Sequence, residues 1–272
     1  MPKPKDIAKT TLDILEKGSY NNNAGETIDL RRPMKLAVEH TKLYKPADFE
    51  RISDVANTAG EFETTYEVVN ETALDVVRRL STEEGASIMC LNFASARHPG
   101  GGFLTGAVAQ EECIARASGL YPCLLKCKPY YDYHRKLDTC LYSDHMIYSP
   151  NVPIIKNEKG DLLPQPVYSA FITSPAVNAG AVKRNEPENI GEIVPTMKAR
   201  AEKVLALSLH YKHNTLVLGA WGCGVFQNEP EDVAEIFHHA LNGKYAGKFK
   251  KVVFAVFSND EEMLAPFRKR FL

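Results

Sequence analysis

The feature that most constrains this chain is the stretch from Leu91 to Leu125, LNFASARHPGGGFLTGAVAQEECIARASGLYPCLL. An apolar run over 86–91 leads into Asn92 and Ser95, then into three consecutive glycines, Gly100, Gly101 and Gly102. Seven residues separate them from Gln110, Glu111 and Glu112, which head a helix-like segment. Adjacent glycines lose more backbone entropy on ordering than any other pair, so a fold keeps them where φ must be positive or another group must come close. A strand opening into such a loop is where α/β folds hold nucleotide-like ligands.

The flanking patterns predict alternating helices and strands. Apolar spacing over 6–17 predicts a helix stopped by Gly18, residues 19–30 read as two extended pieces around Asn-Ala-Gly, and 33–44 reads as a second helix. Strands follow at 64–69 and 86–93, with a helix over 72–80 between them. The second strand is apolar almost throughout, which suits a central position covered on both faces. Residues 110–125 read as helical, and 126–144 as a connection rich in Tyr and Lys without clean periodicity. Strands at 145–148 and 168–173, a long helix over 190–211, a strand at 215–219, a helix over 232–241 and a strand at 251–257 complete the pattern. Such alternation argues α/β layers.

Composition narrows the function classes. A net charge of −1 gives no global drive toward nucleic acid or anionic membrane, so direct DNA binding is not indicated. A pocket of loop amides still binds phosphate without a basic surface. No run approaches the ~18 apolar residues of a membrane span, and the N-terminus has no apolar signal core. The six cysteines, at 90, 113, 123, 127, 140 and 223, read as reduced thiols, which points to an intracellular protein, cytoplasmic or, in a eukaryote, nuclear. Cys123 and Cys127 lack the second pair that a structural zinc needs, so no metal and no cofactor are expected.

Two neighbouring carboxylates repel, and when desolvated at least one is driven toward a raised pKa, as a general acid near neutrality requires. Glu111 and Glu112 are adjacent and cannot easily flank a sugar from opposite faces as the carboxylates of ordinary glycosidases do. A division of labour follows, with Glu112 as the proton donor and acceptor and Glu111 orienting ribose hydroxyls. Asn92 and Ser95, at the strand end, are placed to bond the same hydroxyls. Gly219 to Phe226 has the composition of a second phosphate cradle and is not the GxGxxG of dinucleotide dehydrogenases. The acidic start of the next helix, Asn228 to Asp232, repels phosphate, so binding falls to the amides of Gly222, Gly224 and Val225. Cys223 has no histidine beside it in sequence and is not read as a nucleophile. Tyr130, Tyr131 and Tyr133 suit either stacking on a base or packing on the core.

The triple glycine, the seven-residue spacing and QEE resemble the signature of poly(ADP-ribose) glycohydrolases, and NFASA and ARASGLYPCL resemble their microbial-type branch. YSDHMIYSPNVP, ITSPAVNAG and VLGAWGCGVF extend the likeness over almost the whole chain from about Ile7. The resemblance implies a macrodomain-like, three-layer α/β/α fold with a mixed central sheet over 61–272, preceded by a mainly helical extension over 1–60. It implies hydrolysis of the ribose–ribose O-glycosidic bonds of poly(ADP-ribose), releasing ADP-ribose, and exo action from the chain terminus. The polymer or an ADP-ribosylated protein is the implied partner. Glu112 takes the family's acid/base role and Glu111 its orienting role. Gly100, Gly101, Gly102 and Gln110 with the cradle of Gly222, Gly224 and Val225 are implied to hold ADP-ribose, and Phe226 to pack on the distal ribose. Two alternatives stay open: a hydrolase removing single ADP-ribose units, and a non-catalytic ADP-ribose reader.

Overall fold

The computed structural model describes residues 2–57 and 59–272; Met1 and Thr58, both within the expected extension, lie outside the described residues. The chain opens with helix α1 (Pro4–Lys17), ended as the glycine stop predicts by Gly18 at φ 74°, whose N–H donates to the Ile14 carbonyl. A left-handed residue here closes the helix without a Cβ penalty. Strands β1 (Ser19–Asn21) and β2 (Thr27–Asp29) form a hairpin, followed by α2 (Arg31–His40), β3 (Lys42–Tyr44) and α3 (Phe49–Ile52). Next come β4 (Thr65–Val69), α4 (Ala73–Leu80) and β5 (Ile88–Phe93), then three short helices α5 (Gln110–Ala117), α6 (Leu120–Lys126) and α7 (Lys128–Arg135). Strands β6 (Met146–Lys156) and β7 (Leu162–Ser174) precede α8 (Ala179–Asn185), α9 (Ile193–His210), β8 (Thr215–Leu218), α10 (Pro230–Asn242), β9 (Lys251–Ala255) and α11 (Glu261–Phe271).

Seven strands form one mixed sheet in the order β3-β6-β7-β5-β8-β9-β4. β7, β5, β8, β9 and β4 run parallel, while β6 is antiparallel to both β3 and β7. Along β5 the side chains alternate between two cores, as strand geometry requires. Met89 and Leu91 pack with α9, α10 and α11, whereas Ile88 and Cys90 pack with α4, α5, α6 and α7. Both faces are covered, so the apolar run of β5 is explained by its central place. The mixed sheet between helices is the architecture the resemblance implied. No helix among the described residues is long and apolar enough to cross a membrane.

Several elements depart from the sequence pattern. The second helix stops at His40, and Lys42–Tyr44 pairs with Tyr148–Met146 as an edge strand, so residues from the expected extension complete the main sheet. Short apolar runs do not by themselves separate helix from strand. The connection over 126–144 contains α7, which buries Tyr130, Tyr131 and His134 on one face and leaves Tyr133 exposed. Tyr130 and Tyr131 are therefore core residues and not base-stacking groups. β6 and β7 are far longer than the sequence predicts, because Pro150, Pro153, Pro164 and Pro166 mask strand character; Pro153 pairs in register with Tyr168, and two register shifts absorb the other three. α11 has no clear signature in the sequence, because Pro266 interrupts its apolar spacing of Leu264, Phe267 and Phe271.

The N-terminal helix is fastened to the site's scaffold. The nearly buried ammonium of Lys156 donates to the Ile7 carbonyl at 3.0 Å and to the Thr10 and Thr11 hydroxyls at 2.6 and 2.8 Å. Ala8 and Leu12 of α1 then pack on Phe103, just after the triple glycine, and on Ala115 of α5. Charge-assisted bonds of this kind are about twice as strong as neutral ones.

Candidate active site

Parallel strands β5, β7, β8 and β9 end on the same edge of the sheet, the place where open α/β sheets bind ligands. There a cavity of about 600 Å³ is bounded by Ser95 and His98, the glycine loop, the first turn of α5 and the loop over 220–226. Gln110 ties the first turn of α5 to the end of β5. Its Oε1 accepts from the Phe93 N–H at 2.9 Å and its Nε2 donates to the Leu91 carbonyl at 2.8 Å, as a neighbouring strand would. Both ends of this amide are engaged by the protein, which makes Gln110 a positioning residue at the cavity wall.

Glu111 is 3% exposed and still reaches the cavity. Its Oε2 accepts from the Ser95 N–H at 2.7 Å and its Oε1 from the Asn92 side chain at 3.2 Å. Burial pushes its carboxyl up to about 8, against the lowering effect of these donors and with a further upward push from the Glu112 charge. Asn92 is fully buried, does not line the cavity, and also donates to the Thr173 hydroxyl at 3.2 Å. Asn92 stands behind Glu111 and bonds its carboxyl. Ser95 lines the cavity, and its hydroxyl accepts the N–H groups of Arg97 and His98 at 3.3 and 3.1 Å, which shapes the turn into the glycines.

Glu112 is half-buried, lines the cavity, and accepts the Gly102 N–H at 2.9 Å. Of the three glycines, Gly101 is the one that makes room for these carboxylates. Gly100 and Gly101 adopt φ of 69° and 59°, and a Cβ on Gly101 would lie 2.2 Å from Glu112 Oε1 and 3.1 Å from Glu111 Oε2. The Gly101 N–H donates to the His98 carbonyl at 3.0 Å. The N–H groups of Gly101 and Gly102 are thus both bonded inside the protein.

Across the cavity the second loop behaves differently. Asn228 braces it from beneath, donating to the Val177 and Gly222 carbonyls at 2.7 and 3.1 Å, and Trp221 donates to the Ser174 carbonyl at 3.2 Å. Gly222 sits at φ 76° against Ala176 and Asn228. The N–H groups of Gly222, Gly224, Val225 and Phe226 donate to no acceptor among the described residues, and all four residues line the cavity. Four free amides on one braced turn have the chemistry to receive an anion. Phe226 stands at one edge, its ring 6.0 Å from that of Tyr142. Burial pushes the Cys223 thiol up to about 12, which agrees with its not being a nucleophile.

The sequence reading missed a second cavity of about 360 Å³ that adjoins the first through Phe93, Ala109, Gln110, Ala220 and Gly224. It lies among Thr72, Glu158 and Phe257, and Phe257 is 73% exposed. An apolar ring left this open to solvent at the end of β9 is a functional signal only once the fold brings it beside the cavity.

The raised Glu111 carboxyl carries a measurable consequence. Between its ordinary value of 4.5 and about 8 the unfolded chain gives up this proton while the folded chain keeps it. Its contribution to stability is full below 4.5 and is lost as pH rises to about 8. The Glu111→Gln variant is expected to lose this dependence and to gain on wild type by a few kcal/mol, on the order of magnitude of several titration units, across that window. Urea denaturation at a series of pH values reads this directly, and parallel curves for the two proteins would contradict the assignment.

Comparison with known proteins adds the following. A family model described as the catalytic domain of microbial-type PARG, poly(ADP-ribose) glycohydrolase, matches residues 8–157. The crystal structure of the poly(ADP-ribose) glycohydrolase of Thermomonospora curvata bound to the inhibitor ADP-HPD is 44% identical, covering 98% of this chain and 99% of that one at a TM-score of 0.91. The Deinococcus radiodurans enzyme in complex with ADP-ribose is 44% identical, covering 87% of this chain and 96% of that one at a TM-score of 0.84. Comparison with curated proteins finds no match.

Proposed function

This chain belongs to the microbial-type poly(ADP-ribose) glycohydrolase family, glycosidases that hydrolyse poly(ADP-ribose), and we propose that Glu112 is its general acid and base. The observation that carries this reading is the pairing of a cavity-facing Glu112 with a buried Glu111 beneath the glycine loop. In the reaction Glu112 protonates the leaving ribose oxygen as the bond to the anomeric carbon breaks. It then takes a proton from the water that attacks that carbon, and so returns to its starting state. Glu111, fixed by Asn92 and Ser95, holds the ribose hydroxyls in register. The cation-like centre that forms at the anomeric carbon is balanced by negative charge, which the substrate's own diphosphate supplies from the cradle of Gly222, Gly224, Val225 and Phe226.

The two adjoining cavities support an assignment for each end of the ligand. ADP-ribose laid along the joined cavities puts its diphosphate on the free amides and its distal ribose between Phe226 and the two glutamates. Its base then lies in the second cavity, against the exposed ring of Phe257. The six free thiols go with an intracellular site of action.

The chain terminus is the proposed point of attack. Purified protein incubated with end-labelled poly(ADP-ribose) in the presence of chelator is expected to release ADP-ribose monomer from the first minutes, with the bulk of the polymer shortening gradually. Early accumulation of mid-length oligomers would replace exo by endo action. Tight ADP-ribose binding without any release would move the chain to the reader class, and release confined to singly modified protein would move it to the mono-ADP-ribosyl hydrolases.

A further inference from the structure

Glu112 reaches the cavity from the first turn of α5, and the last turn of the same helix holds the loop that Glu112 bonds. Arg116 stands four residues on, the spacing at which a carboxylate and a guanidinium commonly pair along a helix. Its guanidinium instead runs back along α5 and donates to the Ala107 carbonyl and, at 3.1 Å, to the Cys113 sulfur. The Ala107 N–H donates to the Gly102 carbonyl at 3.2 Å, and the Gly102 N–H donates to Glu112 Oε1 at 2.9 Å. A circuit of hydrogen bonds therefore leaves α5 at Arg116, passes through Ala107 and Gly102, and returns to α5 at Glu112.

The circuit is anchored from outside. The Arg116 carbonyl lies in the last turn of α5, where no later helical N–H can reach it. The buried Thr11 hydroxyl of α1 donates to it instead, and the same oxygen accepts from the Lys156 ammonium of β6 at 2.8 Å. Phe103, between the glycines and Ala107, is buried against Ala8 and Leu12 of α1. Both cations are buried, and the groups they bond are neutral. Lys156 donates to the Ile7 carbonyl and the Thr10 and Thr11 hydroxyls, and Arg116 to a carbonyl and a thiol. Apolar side chains of similar volume stabilise a buried site as well as buried charges do, or better. What these two cations supply is a fixed direction for the groups they bond.

We propose that Arg116 is a positioning residue for Glu112, fastened to α1 by Thr11 and to the sheet by Lys156. The inference rests on Glu112 being the proton donor and acceptor of the glycohydrolase reading. The guanidinium holds the Ala107 turn against Gly102, and the Gly102 N–H then fixes the direction in which the Glu112 carboxyl faces the cavity. Without the guanidinium the turn is free to lift, and the carboxyl loses its bearing on the bond to be cut while the rest of the binding cavity keeps its shape.

The test measures kcat and KM for release of ADP-ribose from polymer by the full chain, beside the dissociation constant of ADP-ribose. Arg116→Met keeps the length of the side chain and removes every donor. It is expected to lower kcat about tenfold or more, within the loss of about a hundredfold that a displacement of about 1 Å costs a catalytic group. KM and ADP-ribose binding should stay within about twofold. Arg116→Lys, which restores a donor for the Ala107 carbonyl, should recover most of the rate. In a Glu112→Gln background the Arg116→Met step should cost little more, since no proton is left to position, whereas a loss of folded protein would scale both backgrounds alike. Should Arg116→Met fail to fold, Thr11→Val and Thr11→Ser carry the same comparison. The first loses the hydroxyl and is expected to lower kcat about threefold; the second keeps it and should match wild type. Wild-type kcat in Arg116→Met, or in Thr11→Val where only that protein folds, overturns the proposal, and so does an equal loss in both Glu112 backgrounds. Failure of the unmodified chain to release ADP-ribose from polymer would instead strike the glycohydrolase reading.

Discussion

Replacing Glu112 with Gln is expected to lower turnover of poly(ADP-ribose) by about 10³-fold, within the range that a positioned general acid contributes. The side chain keeps its length and an acceptor oxygen for the Gly102 N–H, which is 2.9 Å from Glu112 Oε1, so the glycine loop has no reason to move. What is lost is the ability to carry a proton, and with it both halves of the reaction. ADP-ribose affinity should stay within a few-fold of wild type, about 1 kcal/mol or less, because the product has no bond left to protonate. Steady-state assays of released ADP-ribose beside calorimetry of ADP-ribose binding check both arms. Equal loss of turnover and binding would mean that Glu112 holds the ligand and does not move its proton.

The second large effect is expected at Gly101, where backbone and site chemistry meet. Its φ of 59° lies in the left-handed region, and an alanine Cβ would come within 2.2 Å of Glu112 Oε1 and 2.9 Å of Glu112 Cδ. The conformation costs an L-residue about 1–2 kcal/mol, and the collision displaces the carboxylate. A shift of about 1 Å in a catalytic group is enough for about a hundredfold loss of rate, so Gly101→Ala should lower turnover by at least that factor. Gly25 provides the control, since it has a φ of 80° and nothing within 4 Å of its built Cβ. Gly25→Ala should carry a similar backbone cost and leave turnover intact. If Gly101→Ala turns over polymer at the rate of wild type, the close approach of Glu112 to the loop does not matter for catalysis.

The two substitutions show why the glycine and glutamate motifs stand out in the sequence. Three glycines are unusual enough to demand a physical reason, and adjacent carboxylates are unusual enough to demand a chemical one. At Gly101 the two reasons meet, because the loop has no side chain there where Glu112 and Glu111 come close. The free amides of the cradle were legible for a similar reason, as Gly222 and Gly224 follow an apolar strand and precede an acidic helix start that repels anions. The hydrogen bonds of Gln110 and Asn92 were not legible in the sequence. Gln110 spends both ends of its amide on the backbone of Leu91 and Phe93, and Asn92 lies buried behind Glu111, and neither fact has a local signature.

The sequence by itself determined the layers, the central apolar strand, the two loops and the carboxylate pair, because each rests on local patterns: periodicity, glycine placement and adjacent charge. Only the tertiary structure decided which glutamate is desolvated, which amides remain free, and that Lys42–Tyr44 closes the sheet edge. It also decided that Phe257, far along the chain from Glu112, belongs to the adjoining cavity. Burial and hydrogen-bond pairing are properties of what packs against a residue, and those neighbours come from distant parts of the chain.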